Sequence, residues 1–156
     1  MKKSFEYIIK ISKTEFYDKL KEHTAFNCSS SSYDNGYEFY CDNPKNITDL
    51  KVTSTSLLSR EGILAPLIKI QTKQLDENLK VNLTLQSNKI YYFLAVLFSL
   101  AGVLFGLITY FSLANLCLAM IISIVFILII NLAFFIVTKG KFTDAKERFE
   151  SVFISS

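Results

Sequence analysis

A long stretch without charge limits the possible folds more than any other feature of the sequence. From Ile90 to Thr138 the chain has no Asp, Glu, Lys, Arg or His, which makes 49 successive uncharged residues. One transmembrane helix needs about 20 apolar residues, so the stretch is long enough for two spans and a tight turn. It predicts a transmembrane helical hairpin with spans at about 90–108 and 116–137 and a turn at 109–115.

The rest of the 156-residue chain carries all of the charge and is long enough for one small domain. Residues Ser4 to Ile11 alternate between apolar and polar, which predicts a first strand. Ser12 and Glu15 then have capping-box spacing. They predict a helix from about Lys13 to His23, with Phe16 and Leu20 facing a sheet.

Further strands are predicted between this helix and the uncharged stretch. The clearest hairpin joins Leu67–Leu75 to Leu79–Gln86 through a turn at Asp76-Glu77-Asn78. Other strand candidates are Phe26–Ser31, Tyr37–Cys41 after a turn at Tyr33-Asp34-Asn35-Gly36, and a weaker Leu50–Leu58. Connections this short exclude crossover helices, so residues 1–89 predict a mostly antiparallel sheet of five to six strands.

Residues 139–156 predict a short amphipathic helix that packs back on this domain. Their apolar residues recur at helical spacing at Phe142, Ala145, Phe149, Val152 and Phe153. The predicted fold class is therefore an α+β membrane protein: a mostly antiparallel sheet with two short amphipathic helices. The transmembrane hairpin is inserted between the last strand and the C-terminal helix.

Small residues within the uncharged stretch predict where its two helices touch. Gly102 and Gly106 form a GxxxG pattern, which Ala95 and Ser99 continue along the same helix face. Ala119 and Ser123 offer a matching groove on the second helix. We expect these six residues to pack the hairpin together, with a homodimer face as the alternative. Asn131, deep in the second span, is expected to be structural.

Basic residues flank both ends of the uncharged stretch. Lys80 and Lys89 precede it, and Lys139, Lys141, Lys146 and Arg148 follow it. By the positive-inside rule, both ends lie in the cytoplasm. The sequence therefore predicts a multi-pass protein of the inner or plasma membrane with cytoplasmic N- and C-termini.

No set of residues typical of catalysis or metal binding is found in the sequence. His23 is the only histidine, and Cys28, Cys41 and Cys117 lack metal-ligand spacing. The 17 basic and 14 acidic residues are scattered, which gives no reason to expect nucleic-acid binding. We therefore expect a non-enzymatic protein without cofactor or metal.

The chain resembles a group of small uncharacterised bacterial membrane proteins with an α+β domain that carries a two-helix transmembrane hairpin before the C-terminal helix. The resemblance rests on ISKTEFYDKLKEH, on ILAPLIKIQTKQLDENLKVNLTL followed by the uncharged stretch, and on KFTDAKERFESVF. It covers nearly the whole chain through the order of its elements and implies no particular activity.

These observations predict a membrane-anchored cytoplasmic interaction or scaffold module, with the lipid bilayer and either a protein partner or a second copy as its contacts. Two alternatives stay open. One is a module that binds a lipid or another apolar ligand between the sheet and the C-terminal helix. The other is an immunity-like protein that protects its own membrane, an analogy from size alone.

Overall fold

The computed structural model describes residues 1–26, 37–41, 51–53, 64–113 and 115–154. The chain forms two compact units. The first, called the sheet unit below, comprises Met1–Asn88 and Gly140–Ser156, and the second, called the helical unit, comprises Lys89–Lys139. The boundaries expected from the sequence, 1–89, 90–138 and 139–156, lie within one residue of these.

The described elements follow one another in the order predicted for an α+β chain. They are β1 (Lys2–Ile9), α1 (Lys13–Glu22), β2 (Thr24–Phe26), β3 (Phe39–Cys41), β4 (Lys51–Thr53), β5 (Leu67–Leu75), β6 (Asn78–Gln86), α2 (Lys89–Leu113) and α3 (Leu116–Phe153). The α+β fold class is confirmed.

Three long strands form the body of the sheet. β6 lies in the centre and pairs antiparallel with β1, from Lys2 opposite Gln86 to Ile9 opposite Leu79. On its other side it pairs antiparallel with β5. Where the sequence predicts five to six strands, only these three are longer than three residues within the part of the chain that the structure describes; β4, β3 and β2 continue the sheet order there as short segments.

The pairing of β2 with β3 differs from the predicted hairpin. These strands pair in parallel, with Thr24 opposite Phe39 and Phe26 opposite Cys41. The turn predicted at residues 33–36 lies outside the described residues. Turn-forming residues indicate where a chain can reverse, but they do not fix which segments then pair, so the local pattern missed this arrangement.

The core of the sheet unit lies on one face of the sheet. Leu79, Val81, Leu83 and Leu85 on β6 are completely buried, while the residues between them are half-buried. Phe16 and Leu20 cover this face from α1, and Phe142, Ala145 and Phe149 cover it from α3. Burial of each large apolar side chain stabilises the fold by about 1.5–3 kcal/mol. The C-terminal residues therefore belong to the core.

The helices in the second half of the chain are longer than predicted. α2 continues to Leu113, so most of the turn expected at 109–115 is helical. α3 runs without interruption from Leu116 to Phe153, where the sequence predicts a second span and a separate C-terminal helix. The separate helix was predicted because the uncharged stretch ends at Thr138 and amphipathic helical spacing follows, a pattern that one continuous helix also satisfies. Glycine inside a helix costs only about 1 kcal/mol, which the packing of both ends of α3 outweighs.

Local signals for α1 and the last hairpin are confirmed. Ser12 caps α1 by accepting a hydrogen bond from the Glu15 backbone N–H at 3.2 Å. The β5–β6 turn is one residue shorter than predicted, with Leu75 opposite Asn78. Asp76 takes a left-handed conformation there, with φ of 45°. Aspartate tolerates this conformation better than most residues do, which explains its place in the turn.

Candidate functional site

The helical unit contains a close contact between α2 and α3, which we call the seam. It is formed by Gly102 and Gly106 on α2 and by Ala119, Ser123 and Ile127 on α3. Both glycines are buried. A Cβ atom on Gly106 would lie only 2.7 Å from the Ser123 Cβ, and one on Gly102 would overlap the Ile127 side chain. The two helices therefore approach so closely that a side chain at either glycine would force its neighbours to shift.

Two hydrogen-bonding groups link the helices along this seam. Ser123 Oγ donates to the Gly102 carbonyl oxygen at 2.9 Å, which the missing side chain of Gly102 leaves accessible. Farther along, Asn131 Nδ2 donates to Ser99 Oγ on α2 at 3.5 Å. The same Nδ2 also donates to the Ile127 carbonyl within α3 at 2.8 Å. Because apolar surroundings offer no competing water, each bond satisfies a group that would otherwise be costly to leave unpaired.

The six residues predicted to pack the hairpin take different roles. Gly102, Gly106, Ala119 and Ser123 meet at the seam. Ser99 contacts the seam through Asn131, while its own hydroxyl donates to the Ala95 carbonyl at 2.8 Å within α2. Ala95 is half-buried, and the contact described for it is this hydrogen bond within α2.

Sequence reasoning missed Ile127 and the partner of Asn131. A signal for the position of Ile127 was present, because Ala119, Ser123, Ile127 and Asn131 follow one another at intervals of four residues. That spacing places them on one face of a helix. The register between two helices is not encoded in either helix alone, so the identity of the partners required the structure.

Away from the seam, the helical unit is covered by exposed apolar side chains. Phe111 is 81% exposed, Leu128 63% and Leu104 60%. Both α2 and α3 contain segments long and apolar enough to cross a membrane. Within the helical unit, these segments are almost entirely unburied, unlike a core helix of a water-soluble protein.

A second cluster fastens the end of α3 to β1 in the sheet unit. The Tyr7 hydroxyl donates to Glu150 Oε1 at 3.0 Å, and Lys146 Nζ lies 3.2 Å from the same oxygen. The Tyr7 ring also lies 5.4 Å from that of Phe149. Burial raises the pKa of Tyr7 well above its ordinary value, and the hydrogen bond to Glu150 and its negative charge add to this effect. Tyr7 is therefore a neutral donor that holds the helix in place.

The interface between the sheet and α3 is filled by side chains. Phe142, Ala145 and Phe149 are each at most 1% exposed. They pack with Phe16 and with the inward-facing residues of β6. Along these residues, the interface is therefore closed by the protein's own core.

Residues with chemically reactive side chains are dispersed among the described residues. His23 ends α1, where its backbone N–H donates to the Lys19 carbonyl. Cys41 is buried in the sheet unit and Cys117 is exposed in the helical unit, while Cys28 lies outside the described residues. The described residues contain no group of three or more His, Cys, Asp and Glu side chains arranged to hold a metal ion.

In comparisons with known proteins, no family model, curated protein or solved structure matches this chain. Its function must therefore be inferred from its own composition and geometry.

Proposed function

We propose that this protein is a membrane-anchored, non-enzymatic interaction module. α2 and the part of α3 before Gly140 cross the bilayer as a multi-pass hairpin. The sheet unit lies on the cytoplasmic side, where it presents a surface to a protein partner.

One observation carries the membrane part of the proposal: α2 after Lys89 and the part of α3 before Lys139 carry no charged side chain, yet they bury almost none of their apolar surface in the helical unit. In water, such a surface would favour aggregation. In a bilayer, the same side chains contact lipid, and the seam between the helices provides the close packing that association in lipid requires.

The charge distribution supports cytoplasmic termini. Lys89 precedes the 49 uncharged residues and Lys139 and Lys141 follow them, whereas residues 114–115 between the helices are uncharged. Positively charged residues at both ends favour retention of both ends in the cytoplasm. Passage of the turn across the membrane has little cost because it carries no charge.

The role as an interaction module rests on the sheet unit. Its core is packed with the protein's own apolar side chains, and its described residues include no group of three or more His, Cys, Asp and Glu side chains that could hold a metal ion. What the unit offers to other molecules is its surface, on which recognition by protein partners ordinarily depends.

The proposed role can be tested by photocrosslinking in membranes of intact cells. A photoreactive residue is placed in turn at exposed positions of the sheet unit, Ile8, Lys73 and Glu147, and at Leu128 as a lipid-facing control. A discrete protein adduct from at least one sheet-unit position, and none from Leu128, is expected. If no sheet-unit position gives an adduct with a partner or with a second copy, the proposed role is wrong.

A further inference from the structure

Two of the most exposed apolar side chains in the sheet unit lie at one open cleft. Among its described residues, the large apolar side chains that are exposed are Ile8, Tyr37, Leu75 and Ile154. Ile8 is 66% exposed and Ile154 47%, and both line a cleft of about 470 Å³. Clustered exposed apolar residues on an otherwise polar unit indicate a contact surface.

This cleft lies beside an edge of the sheet. β1 stands at one end of the strand order and pairs with β6 on one side. Among the described residues, no strand pairs with its other side. A strand edge presents backbone N–H and C=O groups that can pair with an added strand. Tyr7, Ile8 and Ile9 belong both to this edge strand and to the lining of the cleft.

Basic residues predominate along the same strand and cleft. The residues that line the cleft include two basic ones, Lys10 and Lys19, and one acidic one, Glu15. Lys2 and Lys3 are exposed at the start of β1. Glu6, the acid within β1, is paired with Lys80 at 2.7 Å. An added strand with acidic side chains is therefore favoured, whereas a second copy would bring another lysine-rich β1 to this edge.

We propose that the outer edge of β1 and the adjoining cleft bind an extended, acidic protein segment as an additional strand, with an apolar side chain of that segment entering the cleft that Ile8 and Ile154 line. The inference rests on the proposed role as an interaction module and specifies its partner. Backbone pairing supplies the attachment, and the cleft and its lysines supply the preference for acidic and apolar residues.

The test uses a fluorescent peptide in which aspartate alternates with isoleucine and a matched peptide with lysine in place of aspartate. Anisotropy is measured with the full chain in detergent. The acidic peptide is expected to bind about tenfold more tightly than the basic one, a difference of about 1.4 kcal/mol. Ile8→Asp and Lys10→Glu should each weaken its binding about tenfold. Leu75→Asp, at an exposed apolar residue outside the cleft, should leave it unchanged.

Hydrogen exchange distinguishes strand addition from side-chain capture. The acidic peptide should slow amide exchange in β1 of the unmodified chain. Equal binding of both peptides, an unaffected Ile8→Asp variant or unchanged exchange in β1 would overturn the inference. So would an Ile8→Asp variant that changes only the oligomeric state, since a second copy would then occupy the edge. If photocrosslinks form from Lys73 or Glu147 but the acidic peptide does not bind, the proposed role as an interaction module stands and only the binding site at β1 is wrong.

Discussion

At the scale of single residues, the seam glycines carry the most specific expectation. Gly106→Ala should lower the thermal denaturation midpoint of the chain in detergent, because the new Cβ would lie 2.7 Å from the Ser123 Cβ. Gly140→Ala is the matched control, since a Cβ there meets nothing within 4 Å. A Gly106→Ala variant as stable as the Gly140→Ala variant would contradict the seam.

Tyr7 gives a pH-dependent expectation at the same scale. Tyr7→Phe should lower the free energy of unfolding at neutral pH by about 1 kcal/mol, because the hydrogen bond to Glu150 is lost. Since the folded state raises the Tyr7 pKa, this contribution is complete below the ordinary value near 10 and declines as the pH rises above it. Urea titrations followed by circular dichroism should show the two proteins converging above about pH 10. A difference that grows with pH would refute this role.

At the scale of elements, the β5–β6 hairpin depends on its turn. Asp76→Val should cost about 1–2 kcal/mol, because a β-branched residue resists the left-handed conformation that Asp76 adopts. Asp76→Gly should be tolerated, since glycine enters that region freely. Urea unfolding of both variants provides the measurement. Equal stabilities of the valine and glycine variants would mean that the turn does not require positive φ.

Elements specified by local sequence were predictable, and those specified by distant contacts were not. The capping residues of α1 and the alternation of β5 and β6 lie within a few positions of each other, so their bounds were predicted closely. The continuity of α3 depends on packing at both of its ends. The short stretch of sequence around Gly140 contains no information about that packing. Small-residue spacing likewise revealed the seam, but its partner Ile127 and the Asn131–Ser99 contact depend on the register between helices.

At the scale of the whole molecule, shortening a side chain of α3 should destabilise the sheet unit only if the residue lies after Gly140. Phe149 is completely buried in the sheet unit, so Phe149→Ala should destabilise that unit by about 3–5 kcal/mol. Phe135 is 48% exposed in the helical unit, and Phe135→Ala should change the stability of the sheet unit by less than about 0.5 kcal/mol. Hydrogen exchange in β6 reports the result. Similar protection in both variants would contradict a core completed by the C-terminal residues.

Membrane topology tests the central proposal most directly. Single cysteines are introduced as Lys73→Cys in the sheet unit and Ser112→Cys near the end of α2, both exposed, in a Cys28→Ser and Cys117→Ala background that retains buried Cys41. The parent background is the blank for labelling with a membrane-impermeant maleimide. We predict labelling of Ser112→Cys in intact cells and of Lys73→Cys only after permeabilisation. Labelling of Lys73→Cys in intact cells would contradict a cytoplasmic sheet unit anchored by a membrane hairpin.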